Sequence, residues 1–497
     1  MLACTHTGTV AGIRGSIIRV EVDSAPGFPG LFIVGLPDSA VRESESRIKA
    51  ALRNSAIPFS WDRRITVNLA PAHLRKSGSA FDLAIAMALL ASAGEPLPPA
   101  PDCLFLGELA LDGSLRAIQG VLPILIEARS QGFKRAVVPR RNLREASLVS
   151  SLEVKGASTL LESLSREANG HDGDGYEPEA APPPLLDLED VAGQPLARRA
   201  LEIAAAGRHN LLMVGPPGSG KTMLARRLPG ILPAPSETEA LEMTAIQSAA
   251  GLCPNTLVGS RPFRAPHHTA SSAALVGGGA IPRPGEISLA HGGVLFLDEL
   301  PEFSRSTLEG LRQPLEEGRL IVSRARAAFE FPSRFQLVAA MNPCPCGYRG
   351  DAVLPCRCTP EAIARYQGRI SGPLLDRIDL VVDVPRPEIR IGPADAHGGE
   401  PSRQVKDRVS AAIRFAEGRG QARDGKDIRL LGLDPFAVET LEHAARLQGL
   451  SLRAVHRTAR VARTIADLAG TPAVSRSCIL EALVFRAGSA LTSLKVA

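Results

Sequence analysis

The run Leu211-Leu-Met-Val214 passes directly into Gly215-Pro-Pro-Gly-Ser-Gly-Lys-Thr222, and no other feature restricts the fold of this chain as much. The four apolar residues read as a short buried strand, and Met223–Leu228 after the loop reads as a helix. G-x-x-x-x-G-K-T between a strand and a helix is a phosphate cradle. Gly215, Pro216, Pro217, Gly218, Ser219 and Gly220 form a loop whose backbone N–H groups can turn toward phosphate oxygens, and the helix N-terminus adds its dipole. Lys221 is placed to reach β- and γ-phosphates, and Thr222 to offer its hydroxyl to Mg²⁺. A chance glycine turn would lack these flanks. The fold class that carries such a loop is α/β, a parallel sheet with covering helices, and from Leu188 onward apolar strands alternate with helical patterns.

A second strand, Val294-Leu-Phe-Leu297, ends in Asp298-Glu299. One acid there could be a salt-bridge partner. Two adjacent acids downstream of a phosphate loop fit a division of labour, with Asp298 on the Mg²⁺ shell and Glu299 polarising the attacking water. A third strand, Phe335-Gln-Leu-Val-Ala-Ala340, leads to Asn342, whose amide could position that water. Alone it would be a turn cap; the other two strands reverse that preference. Arg377, in Gly372-Pro-Leu-Leu-Asp-Arg-Ile-Asp379, and Arg453, in Leu450-Ser-Leu-Arg453, carry guanidinium groups able to stabilise a transferring phosphoryl group. By composition alone, each is as readily a surface ion-pair residue.

At 497 residues the chain exceeds one ordinary core. Residues 1–165 read as mixed α/β, with strands at Ile17–Val22 and Leu31–Val34. Helices are expected at Ser44–Ser55, running on to Ile57-Pro58, and at Ala80–Ala93. Residues 166–186 are rich in glycine, acid and proline and read as a linker. Residues 187–395 form the nucleotide-binding core, and 396–497 are helical with arginine-rich faces. The net charge of +5 is mild, but residues 401–497 hold sixteen Lys/Arg against nine Asp/Glu. A basic end can face a polyanion, the acidic side of a neighbouring subunit, or solvent. No apolar run of about 18 residues predicts a membrane span. The start of the chain lacks a secretory signal pattern.

Four of the eight cysteines fall in Cys344-Pro-Cys346 and Cys356-Arg-Cys358, and the others are scattered singly. That distribution points to a reducing cytoplasm rather than a disulfide framework. The four thiolates could enclose one Zn²⁺, or could be small buried residues in a tight loop.

The chain resembles the ComM/YifB family of Mg-chelatase-like AAA+ ATPases. The resemblance lies in Phe263-Arg-Ala-Pro-His-His-Thr269, Pro284-Gly-Glu-Ile-Ser-Leu-Ala-His-Gly-Gly-Val-Leu-Phe-Leu-Asp-Glu-Leu300, Met341-Asn-Pro-Cys-Pro-Cys-Gly347 and Ile370-Ser-Gly-Pro-Leu-Leu-Asp-Arg-Ile-Asp379. It implies an ATPase with ATP and Mg²⁺ bound, Asn342 at sensor 1, Arg377 as arginine finger and Arg453 at sensor 2. Leu188–Gln194 looks like the segment that closes over adenine. The resemblance also implies a homo-oligomeric ring, a hexamer, that drives helicase-type branch migration on single-stranded or branched DNA during natural transformation. The glycine-rich stretch at Ala274–Gly279 fits a helix-2 insert. Gly318–Arg326 with Ala328–Phe331 fits a pore hairpin, on which Arg324 and Arg326 are expected to meet DNA phosphates. His267 and His268 are expected to be a structural pair in a loop.

The N-terminal part is similar to the Lon-protease domain through Val34–Asp38, Ile65–Pro71, Lys76–Leu83 and Gly107–Gly113. The serine and lysine positions of that domain fall at Ala80 and Leu122, which cannot perform the chemistry. The rival reading is a chelatase-type ATPase that remodels a protein partner.

Overall fold

A computed structural model describes residues 2–74, 76, 78–95, 102–165, 185–252, 256–278, 283–324, 327–387, 399–419 and 428–486. Arg326, the side chain of Arg324 and residues 166–184 of the expected linker lie outside the described residues.

The N-terminal part is a seven-stranded mixed sheet. Its strands are β1 (Leu2–Ala11), β2 (Arg14–Ala25), β3 (Gly30–Val34), β4 (Arg64–Ala70), β5 (Cys103–Phe105), β6 (Arg135–Pro139) and β7 (Glu153–Ala157). They lie in the order β3-β4-β2-β1-β5-β6-β7. Alternation fixes the faces: Ile18, Val20 and Val22 point inward along β2 and meet Val67 and Leu69 of β4. Helices α1 (Ser39–Asn54), α2 (Asp82–Ser92) and α3 (Val121–Ser130) cover the sheet. Residues 83–90 of α2 are all buried, so this helix has no solvent face.

Helix α1 differs from expectation at both ends. It starts at Ser39, because the Asp38 carboxylate accepts the Val41 N–H at 2.9 Å and caps it. It stops at Asn54, ahead of Ile57-Pro58, because Ala56 turns into the left-handed region (φ 54°). The proline therefore follows a helix that has already ended. Ala80 and Leu122 pack into one apolar cluster with Leu104 and Ile124.

The second sheet is wholly parallel. Helix α4 (Pro195–Gly207) precedes β8 (Leu211–Val214), which leads through the glycine loop into α5 (Lys221–Ala225). Helix α6 (Glu237–Ala249) follows, then β9 (Phe263–Arg264) and β10 (Val294–Leu297). A hairpin, β11 (Arg319–Arg324) and β12 (Ala327–Pro332), comes before β13 (Gln336–Met341) and β14 (Leu380–Asp383). The sheet order is β9-β10-β13-β8-β14. Each central strand is buried on both faces, as a sheet between helical layers requires. Leu211, Met213, Phe296 and Val338 face α4 and the C-terminal helices; Leu212, Val214, Leu295 and Leu337 face Leu300, Phe303 and Leu374.

Helices α7 (Ser402–Gly418), α8 (Pro435–Gln448), α9 (Leu452–Leu468) and α10 (Arg476–Val484) complete the described chain. Among the described residues no helix is long and apolar enough to cross a membrane.

Among the described residues the two parts touch at α6 and at the hairpin. Leu241 and Ala245 of α6 pack into the cluster around Leu122 and Leu125 of α3. The turn between β1 and β2 meets the hairpin: Ile13 joins Leu320, Val322 and Phe331 in a small apolar cluster, and Arg14 lies 4.0 Å from Glu330.

Candidate nucleotide site

The phosphate loop lies at the C-terminal ends of the parallel strands, where open α/β sheets bind ligands. Gly220 sits at φ 92°, a left-handed backbone that glycine adopts without strain, and there the loop turns into α5. Lys221 is 9% exposed, and its Nζ donates to the carbonyls of Gly215 (2.8 Å) and Pro216 (2.9 Å) and to Asn342 Oδ1 (3.3 Å). Burial pushes the Lys221 amine down, while Asp298 and Glu299 oppose that shift. The Thr222 hydroxyl donates to Asp298 Oδ2 at 2.6 Å. Hydroxyl and carboxylate together are hard oxygen ligands suited to Mg²⁺.

Glu299 follows with φ 52°, a left-handed backbone that few non-glycine residues adopt and that often marks a functional site. Its N–H donates to Asp298 Oδ1 at 3.0 Å. Its carboxylate lies 3.3 Å from His268 Nδ1, and the ring of His267 packs against His268 with centroids 4.2 Å apart. Lys221, Thr222, Asp298, Glu299 and Asn342 line one pocket of about 430 Å³.

A second cleft, of about 440 Å³, holds Glu316, Arg377, Arg453, Arg457 and Arg460. Its position follows from the backbone. Asn210 precedes β8 and accepts the N–H groups of Asp379 and Leu380 at 3.0 Å each, just where β14 begins. The cleft therefore opens at the N-terminal end of the sheet, and the phosphate loop at the other end. Four strand residues separate them, about 13 Å at ~3.3 Å per residue. Arg377 bonds Glu316 and the Pro373 carbonyl, and Arg457 lies 3.5 Å from Asp376. Burial lowers the pKa of Arg377, and the neighbouring charges of Arg312, Arg453 and Arg457 lower it further. Arg377 Nε and Arg457 Nη1 are buried with no hydrogen-bond partner among the described residues. Crowded cations with unmet donors call for an anion.

The four cysteines do converge. Cys344 Sγ lies 3.4 Å from Cys346 Sγ and 3.6 Å from Cys356 Sγ, and all four sulfurs lie within 4.8 Å of one another. Backbone N–H groups of Tyr348 and Arg357 bring the Cys346 thiol down to about 6, whereas burial pushes Cys344 up to about 12.

Three sequence models of magnesium chelatase subunit ChlI match this chain in order. One covers residues 20–142, the main one 187–390, and the C-terminal one 399–486. The competence protein ComM of Haemophilus influenzae is 44% identical over 510 residues, which span 98% of this chain and 97% of that protein. The chain belongs to the ComM/YifB family of Mg-chelatase-like AAA+ ATPases. An uncharacterized YifB protein of Escherichia coli is likewise 44% identical, over 98% of this chain and 97% of its own.

Of the candidate site residues, the structure gathers Pro217, Gly218, Ser219, Gly220, Lys221, Thr222, Asp298, Glu299 and Asn342 around one pocket, while Gly215 and Pro216 line a neighbouring one with Pro343 and Asp383. Arg377 and Arg453 line the second cleft together and do not line that pocket. Arg324 lies in β11, in the expected hairpin, and Arg326 is outside the described residues. His268 is the residue that sequence reasoning passed over. Expected to be merely structural, it reaches the carboxylate of Glu299. The only signal was its place in Phe263-Arg-Ala-Pro-His-His-Thr269, just after an edge strand beside β10.

Proposed function

We propose that this chain is an ATP-driven, ring-forming motor that acts on DNA, with branch migration during recombination of incoming DNA as its task. The observation that carries the reading is the separation of Arg377 and Arg453 from the phosphate loop of their own chain. A guanidinium about 13 Å away, across the sheet, cannot stabilise its own γ-phosphate. It can serve the ATP of a neighbouring copy, and a cyclic arrangement gives every site a neighbour. A hexamer is the expected closure.

Within one site, Gly215–Thr222 bind the phosphates and Lys221 exchanges its carbonyl partners for phosphate oxygens. Thr222 and Asp298 would hold Mg²⁺, which when bound neutralises phosphate charge. Glu299 accepts a proton from the attacking water, and Asn342 orients that water. Arg377 leaves Glu316 for the neighbour's γ-phosphate, and Arg453 joins it from α9. Residues 396–497 act as the helical lid of the core at 187–395. Residues 1–165 act as a Lon-like scaffold without protease chemistry, since Ala80 and Leu122 are packed apolar side chains.

Three features support DNA as the polymer: the relative ComM is a competence protein, a hairpin stands beside the core, and the C-terminal part is basic. Arg324 and Arg326 are the proposed phosphate contacts. A second reading, an ATPase that remodels a protein partner, is favoured by the match to ChlI models along most of the chain. ATPase rates with single-stranded DNA, branched DNA, unfolded protein and no addition separate the two. DNA stimulation that weakens steeply with salt, and that is lost on changing Arg324 and Arg326 to alanine with basal rate intact, supports the motor. Stimulation by protein alone overturns it.

A further inference from the structure

Four sulfurs brought together in a loop beside a nucleotide pocket need an explanation beyond packing. Their separations of 3.4 to 3.6 Å far exceed the ~2.05 Å of a disulfide. They are close to the ~3.8 Å edge of a tetrahedron with Zn–S bonds of about 2.3 Å. With all four sulfurs inside 4.8 Å there is room for one ion and not for a polynuclear cluster. The backbone also points donors at sulfur: the Cys346 N–H reaches Cys358 Sγ at 3.4 Å, and the Cys358 N–H reaches Cys356 Sγ at 3.5 Å. Such N–H···S bonds stabilise thiolates and orient them as ligands.

The loop is attached to the reacting end of the nucleotide site. Cys344 follows Asn342 by two residues at the end of β13. Gly347, at φ 85°, lies so close to the phosphate loop that a side-chain carbon there would come within 2.5 Å of Pro217 Cδ. From the other side, Gln367 Nε2 donates to the Pro343 carbonyl at 2.9 Å, and Tyr366 is hydrogen-bonded to the backbone of Asn342. At its far end Asp351 pairs with Arg386 at 3.2 Å, just past β14. The cysteine loop therefore touches the segment that carries Asn342, the rim of the phosphate loop and the chain leaving β14.

We propose that Cys344, Cys346, Cys356 and Cys358 bind one tetrahedral Zn²⁺, and that this metal braces the nucleotide site by fixing Asn342 against Lys221 and Gly347 against Pro217. Without the ion, residues 344–358 lose their cross-link and Asn342 loses the fixed end that follows it. The bracing role rests on the reading of the pocket as an ATPase site, whereas the metal site does not.

The test uses full-length protein prepared without added metal. Elemental analysis is expected to give about one zinc per chain, with the four thiols shielded from a thiol reagent until the metal is removed. Cys356→Ser is expected to lose the zinc and to lower both affinity for a fluorescent ATP analogue and kcat by about tenfold. Cys356→His, which restores a ligand nitrogen, is expected to recover both. Should Cys356→Ser fail to fold, wild-type protein stripped by a chelator and then reloaded with Zn²⁺ gives the same comparison. Zinc far below stoichiometry with four freely reactive thiols overturns the site, and iron in its place overturns the choice of ion. Loss of zinc with analogue binding and kcat unchanged overturns the brace. Metal content is read without ATP, so it stands even if the pocket proves not to hydrolyse ATP.

Discussion

His268 Nδ1 lies 3.3 Å from Glu299 Oε2, joining the loop after β9 to the acid that ends β10. Glu299 is half exposed, and its left-handed backbone aims a flexible side chain at the phosphate pocket. A base that must sit within reach of a water benefits from a second fixed point. His268→Ala is therefore expected to lower kcat about tenfold with little change in ATP affinity, and His268→Asn to restore part of the loss. Removal of the carboxylate itself should cost more, about 10²–10⁴. An unchanged kcat in His268→Ala would reduce the contact to packing.

Lys221→Ala and Glu299→Gln should fail in different ways. Lys221 spans the loop carbonyls where phosphates bind, so its loss should abolish nucleotide binding. Glu299→Gln keeps the cradle and removes the proton acceptor. It should bind ATP normally and turn over slowly. Equilibrium binding and single-turnover hydrolysis on both variants decide; wild-type hydrolysis in Glu299→Gln would dismiss it as the base.

Mixing experiments address the shared site. Arg377→Ala subunits keep an intact phosphate loop, and Lys221→Ala subunits keep an intact Arg377. Each alone should be inactive, while mixtures should regain part of the wild-type ATPase. No recovery at any ratio, or an active monomer in sedimentation, would count against the ring.

Acid should weaken the start of helix α6. Burial alone would push the Glu239 carboxyl up, but the Ser236 N–H and the guanidinium groups of Arg261 and Arg208 more than offset it and hold it near 2, against an ordinary 4.5. A depressed carboxyl stabilises the fold above its unfolded pKa, and that stability is lost as pH falls from about 4.5 toward 2. With the side chain 34% exposed, screening reduces the contribution to about 1–2 kcal/mol. Glu239→Gln should lower the unfolding midpoint at neutral pH and flatten its fall in acid. A wild-type pH profile in the variant would show that the three contacts add nothing.

The nucleotide pocket was legible because its chemistry is local. Gly215–Thr222 and Asp298-Glu299 each carry their own strand, so spacing places them at strand ends before the sheet order is known. The cysteine loop was legible for the same reason, its four sulfurs falling within fifteen residues. His268 was not, because 30 residues lie between it and Glu299, and only the pairing of β9 with β10 brings them together. The common cleft of Arg377 and Arg453 was not legible either, since it depends on α9 packing at the N-terminal end of a sheet whose order spacing does not state. The early start of α1 could have been read from Asp38, a capping residue three positions before Val41.

The apolar cluster of Ile13 with Leu320, Val322 and Phe331, and the proximity of Arg14 to Glu330, tie the hairpin at two points to the β1–β2 turn of the N-terminal sheet. A hairpin held at its root by a second sheet is a lever with a fulcrum. Force on the hairpin passes into the β1–β2 turn as well as into the core that follows it in sequence. The N-terminal sheet is then the mass against which that lever pushes.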